Sequence, residues 1–241
     1  MTGRRGRRAR RRRDVNDLKW ERYGAGAGLV FVILVVVGAL IAGQPPRPDD
    51  SVREIAEYYD DHTGAIKVGA FLAGLAAFVF LWFLGSLWST LRRSEDTRRL
   101  ATIAVGGGIV GLIFTITGFA VNATVAIAVD STGAVAGVNP KFIYLLSGVI
   151  GGMGNFGAAV LVAATAVAVL RTGVFPAGFG WPGLVLALGW LVAGLIVATD
   201  ATWVFTVGFI VFLLWLVWVL AISYFLFRPQ QQEASAAPSP A

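Results

Sequence analysis

Residues 101–129 read ATIAVGGGIVGLIFTITGFAVNATVAIAV, a run that contains no Asp, Glu, Lys, Arg or His. At about 1.5 Å of rise per residue, a helix of this length exceeds the roughly 30 Å of hydrocarbon in a bilayer. A continuous apolar run of this length without interior charge reads as a membrane-spanning helix. Five further apolar runs without interior charge surround it, at about 24–43, 65–88, 142–170, 181–199 and 203–227. The 241-residue chain is 56% apolar and 14% charged, with a mean hydropathy of +0.72, against roughly 45–50% and about 25% in soluble domains. The pattern predicts an all-α polytopic membrane protein, a six-transmembrane-helix bundle over 24–227. An Arg-rich segment, 1–23, precedes it and a disordered tail, 228–241, follows. The first run comes after arginines, as a secretory signal does. Its apolar stretch is too long for that and Ala39–Gly43 offers no good cleavage site, so it reads as a retained span.

Orientation follows from the basic residues, which accumulate on cytoplasmic flanks. With the N-terminus inside, the cytoplasmic segments hold sixteen of the twenty Lys and Arg, including Arg92, Arg93, Arg98, Arg99, Arg171 and Arg228. The outer side then holds Arg47, Arg53, Lys67 and Lys141 together with eight of the fourteen acids. Six spans place both termini in the cytoplasm. The net charge of +6 is therefore the sum of a basic inner face, a neutral interior and an acidic outer face.

Polar groups inside a membrane point to function because they are costly there. No ionisable residue lies deep in any span, which argues against proton-coupled transport, voltage sensing and embedded acid–base catalysis. Two asparagines remain, Asn122 and Asn155. In the third span Gly107, Gly111, Thr115, Gly118 and Asn122 share one helical face, and in the fourth Gly148, Gly151, Gly152 and Asn155 share another. A turn centred near residue 135 or 136 pairs positions whose numbers sum to about 271. Asn122 then faces Gly148 to Gly151, and Asn155 faces Thr115. Small residues let helices approach closely in lipid, so the stripes form a packing seam with two polar fasteners. The alternative is that the glycine-dense centre, 148–157, is unwound and lines a solute path.

Residues 44–64 form the one sizeable outer loop. Pro45, Pro46 and Pro48 end the first span, and Ser51-Val52-Arg53-Glu54 matches a capping box. A short helix over about 51–62 is predicted, with Val52, Ile55, Ala56 and Tyr59 on the face that meets the membrane surface or caps the bundle. Asp49, Asp50, Glu54, Glu57, Asp60, Asp61 and His62 could offer ligands to a divalent cation. They lack calcium-loop spacing, and a solvated helix face explains them as well, so no metal is assigned. Asp200 reads as a helix cap and Lys67 as a snorkelling side chain. With Asp130 and His62 they would rim any shallow outer vestibule.

Arg4, Arg5, Arg7, Arg8, Arg10, Arg11, Arg12 and Arg13 read as a topology anchor attracted to anionic lipid headgroups. Without aromatic stacking residues or a folded module beside them, nucleic acid is not expected as a partner. The chain has no cysteine and one histidine, which excludes disulfides and cysteine-ligated metal centres. It also lacks phosphate-loop, zinc-protease and nucleophile-elbow motifs. No enzyme activity and no cofactor are expected.

The stretch PPRPDDSVREIAEYYDDH followed by GAFLAGLAAFVFLWFLGSLWSTLRR, within Pro45 to Arg93, resembles a loose group of multi-span membrane proteins of high-GC Gram-positive (actinobacterial) type. In that group an acidic, Tyr-containing outer helix precedes a Phe/Trp-rich second span. Seventeen Arg against three Lys fits a GC-rich source. The resemblance covers about a fifth of the chain; it implies a bacterial plasma membrane and six helices, and carries no activity with it. The expected role is a non-catalytic membrane component that associates with itself, with lipid or with another membrane protein. The alternative is a small transporter or channel for a neutral or apolar solute.

Overall fold

A computed structural model describes residues 26–132, 139–172, 177–199 and 201–235. The arginine cluster Arg4–Arg13, the turn centre at 135–136 and Asp200 lie outside them. Six helices follow one another: α1 (Gly26–Ala42), α2 (Val52–Leu91), α3 (Arg98–Thr132), α4 (Pro140–Thr172), α5 (Gly180–Ala193) and α6 (Thr202–Ser235). Short 3₁₀ turns at Glu95–Thr97, Ala177–Phe179 and Gly194–Val197 adjoin α3 and both ends of α5. Among the described residues five of the helices are long and apolar enough to cross a bilayer; α1, described over 17 residues, is shorter. We call the end carrying residues 43–51 and the start of α4 the top, and the end carrying 92–97 the bottom.

The helix ends are set by local chemistry. Gly43, at φ +68°, closes α1 by donating its N–H to the Ala39 carbonyl, a left-handed turn that suits glycine. Asn139 starts α4: its Oδ1 accepts from the N–H groups of Lys141 and Phe142 at 3.0 and 3.3 Å, with Pro140 in the first turn. The bottom turn between α2 and α3 is tied by Thr97, fully buried, whose hydroxyl donates to the Leu91 carbonyl.

Ser51 and Glu54 form the expected capping box, but the helix they start does not stop at 62. It continues into the second span as one 40-residue helix, about 60 Å long. The reason is that nothing between His62 and Ala65 breaks it: Gly64 costs about 1 kcal/mol in a helix interior, less than the cost of ending one helix and nucleating another. The top three turns of α2 therefore stand beyond the membrane-crossing stretch as a rigid extension. Glu54 accepts from the Ser51 N–H at 2.7 Å, which holds its carboxyl below the usual carboxylate range. Its folded value being the lower one, this contribution is present above the unfolded value and is lost as pH falls through the folded one. Amide protection in the first turn of α2 should accordingly drop in acid, whereas Glu54→Gln removes that pH dependence. Ser51→Ala should cost about 1 kcal/mol of local helix stability at neutral pH, read by hydrogen exchange.

A second difference lies at the other end, where α6 continues through Arg228 to Ser235, residues assigned from the sequence to the tail. Gln230 to Gln232, Glu233 and Ala234 are good helix formers, and Pro229 does not end the helix.

α4 is the central helix. Its most apolar stretch is 56% buried, against 28–39% for the other long helices. Small side chains such as Ala159, Ala164, Ala166 and Ala168 let α2, α3 and α5 close around it. The main core joins all six helices, with Ala101 and Ala104 as the contribution of α3 and an aromatic group of Phe31, Phe80, Trp190 and Trp215 at its centre. A smaller core at the top holds Ile55, Tyr59, Ile66, Val125 and Ala126. The outside is as apolar as the inside: Phe71, Leu40, Trp181, Val185, Phe209 and Val217 are each more than 60% exposed. Such a surface is stable against lipid and not against water, and the chain is a multi-pass membrane protein.

Candidate functional site

The closest helix contact is between α3 and α4, and glycines make it. A methyl group placed on Gly157 would lie 2.3 Å from the Gly111 nitrogen and 2.6 Å from the Gly107 oxygen. One on Gly154 would lie 2.8 Å from the Gly111 oxygen and 2.9 Å from Thr115 Oγ1, and one on Gly118 would lie 2.8 Å from the Ser147 oxygen and 3.1 Å from Gly151 Cα. Apart from Thr115 Oγ1, the atoms met are backbone atoms, which no side-chain rotation can move away.

The register differs from the symmetric one. Gly111 faces Gly154 and Gly157, not residue 160, and Gly118 faces Ser147 and Gly151, not residue 153. The pairing is set by where glycine notches coincide, which outweighs symmetry about the turn. The fourth-span stripe consequently divides. Gly151 lies in the seam. Gly152 turns to the 3₁₀ turn after α5, where an added methyl would meet Ile196 Cγ2 at 2.4 Å, and Gly148 has open space beside it. Gly154 and Gly157, which carry the contact with Gly111, stand outside the stripe of 148, 151, 152 and 155; their signal was the spacing G-x-x-G from Gly151 through Gly154 to Gly157.

Neither asparagine fastens α3 to α4. Asn155 Nδ2 donates to the Ala193 carbonyl at 3.0 Å, at the point where α5 tightens into its 3₁₀ turn. Gly194 meets the Phe156 ring beside it, with 2.9 Å to an added methyl. Asn122 Oδ1 accepts the hydroxyl proton of Tyr59, a fully buried residue of α2. Both amides thus join a seam helix to a third helix, which pairing α3 with α4 alone could not reveal.

Tyr59 belongs to a polar layer at the top. Tyr144 donates its hydroxyl to the Pro46 carbonyl, Lys141 Nζ donates to the Asp50 carbonyl at 2.7 Å, and Tyr58 donates to the Ala42 carbonyl at 3.4 Å. His62 stacks on Tyr58 with ring centroids 4.7 Å apart. The Pro-rich connection is thereby held onto α2 and α4. The acids nearby serve the helix: Glu57 pairs with Arg53 at 2.8 Å, Asp50 accepts from the Arg47 N–H at 2.7 Å, and Glu54 closes the capping box. Among the described residues no three His, Asp or Glu side chains come together as a metal site. Tyr59 and Tyr144 are the residues that sequence reasoning left out of the site; their signal was an aromatic hydroxyl on an otherwise apolar helix face.

Thr115, Gly111, Gly118, Gly151, Gly154 and Gly157 therefore form a close-packed seam, with Asn122 and Asn155 engaged on either side of it. The seam offers no titratable group and no nucleophile beyond the Thr115 hydroxyl. Compared with protein-family models, with curated proteins and with solved structures, the chain matches none.

Proposed function

We propose that this protein is a non-catalytic component of the plasma membrane, with six spans and both termini in the cytoplasm, acting by association with itself, with lipid or with another membrane protein. The observation that carries the reading is the seam. Where a solute path would have to pass Asn122 and Asn155, the helix backbones of α3 and α4 are in contact, and both amides are engaged by Tyr59 and Ala193. The orientation rests on Arg92, Arg93, Arg98 and Arg99 collecting at the bottom, with the acidic residues of 49–61 at the top.

Two measurements on the full chain test it. Proteoliposomes should swell in glycerol or urea no faster than protein-free vesicles. In mild detergent the 25.5 kDa chain should purify as an oligomer or with a stoichiometric membrane protein or lipid. Swelling well above the protein-free rate, or a lipid-free monomer with no companion, would overturn the proposal.

A further inference from the structure

A groove of about 230 Å³ opens sideways between the lower halves of α2 and α3, lined by Leu81, Leu84, Gly85, Trp88, Thr102, Val105 and Ile109. Its floor is the contact of Leu84 with Gly108, where an added methyl would meet the leucine at 2.8 Å. Gly85 leaves one wall without a side chain, with nothing within 4 Å of its missing methyl. Except for Thr102 the lining is apolar. Taking about 30 Å³ per group, as for a water molecule, the groove has room for a chain of about seven or eight carbon-sized groups.

The lower end of the groove is basic. One helical turn below Trp88, Arg92 lays its guanidinium 4.0 Å over the Trp88 ring. One turn below Thr102, Arg98 lies on the same face of α3 and exposes most of its side chain. Arg93 and Arg99 adjoin them. Glu95 and Asp96 are the acids of this turn, and Glu95 reaches Arg98 at 3.3 Å in a highly exposed pair, a kind of contact that is readily exchanged. The segment 92–99 keeps an excess of positive charge at the depth where an apolar groove meets the headgroup layer.

We infer that the α2–α3 groove binds one anionic phospholipid, with an acyl chain along Gly85 and its phosphate at Arg92 and Arg98. The inference names one ligand within the association reading and rests on that reading only there: loss of the lipid preference would leave the swelling result unchanged, and the reverse also holds.

The test is native mass spectrometry of the full chain in detergent, titrated with phosphatidylglycerol or phosphatidylcholine. The parent for comparison has Arg4 to Arg13 changed from Arg to Gln, which removes the N-terminal attraction. It should retain at least a roughly fivefold preference for phosphatidylglycerol, and R92Q/R98Q should abolish that preference, since each basic residue near the surface changes affinity about fivefold. Gly85→Leu, or Thr102→Leu if the first variant folds poorly, should weaken phosphatidylglycerol binding about tenfold by filling the groove. Glycerophosphoglycerol, the headgroup without chains, should not compete. The inference fails if the preference disappears in the parent, survives R92Q/R98Q, is unaffected by filling the groove, or is competed away by the headgroup alone.

Discussion

Gly157→Leu should yield almost no folded protein, and Gly157→Ala should already lower stability by more than about 3 kcal/mol. Inserting a methylene where neighbouring side chains can yield costs about 1–3 kcal/mol. Here the atoms met at 2.3 and 2.6 Å are the backbone nitrogen of Gly111 and oxygen of Gly107, so α3 and α4 must separate along the seam. Marginal stability, about 5–15 kcal/mol in all for a folded domain, leaves little room for that. The readout is the monodisperse fraction on fluorescence-detected size exclusion together with the thermal midpoint. Gly148→Leu is the internal control: it faces open space and should change stability by less than about 0.5 kcal/mol. Gly152→Leu should fall between the two, because the obstacle at 2.4 Å is the end of the Ile196 side chain, which can rotate. Equal melting of Gly157→Leu and wild type would show that the seam is not what holds α3 to α4.

Tyr59→Ala should cost about 3–5 kcal/mol, the range for removing a large buried aromatic. Tyr59 is fully buried in the top core against Val125 and Ala126 of α3, and its loss also leaves the Asn122 amide without its partner. The two parts can be separated. Tyr59→Phe keeps the ring and removes the hydroxyl, and a double-mutant cycle with Asn122→Leu should give a coupling of about 0.6–1.7 kcal/mol, the range for side-chain hydrogen bonds between membrane helices. Thermal unfolding and hydrogen exchange over the top of α2 and α3 measure both. A coupling indistinguishable from zero would mean that the contact is incidental, and a small effect of Tyr59→Ala would mean that the α2 extension is not anchored there.

These two residues illustrate how much of the site was legible in the sequence. The glycines of α3 were visible because four-residue spacing places them on one face, whichever helix that face meets. Their partners lie up to about a turn and a half from the positions that symmetry about the connection predicts, because interlocking of Gly111 with Gly154 and Gly157 sets the register. Asn122 and Asn155 were recognised as the polar residues of the interior. Their partners Tyr59 and Ala193 lie 63 and 38 positions away in the chain, beyond any periodic argument.

The sequence by itself determined the helices, the membrane and the caps. Hydropathy over about 20 residues, the missing breakers and the side-chain chemistry of Ser51, Glu54 and Asn139 act locally, through the solvent and through groups three or four residues apart. Tertiary structure alone decided the seam register and the helix to which each asparagine turns. In lipid an apolar face gains little by choosing one apolar neighbour over another. The choice therefore falls to close packing and to a few hydrogen bonds, and both depend on where all six helices lie.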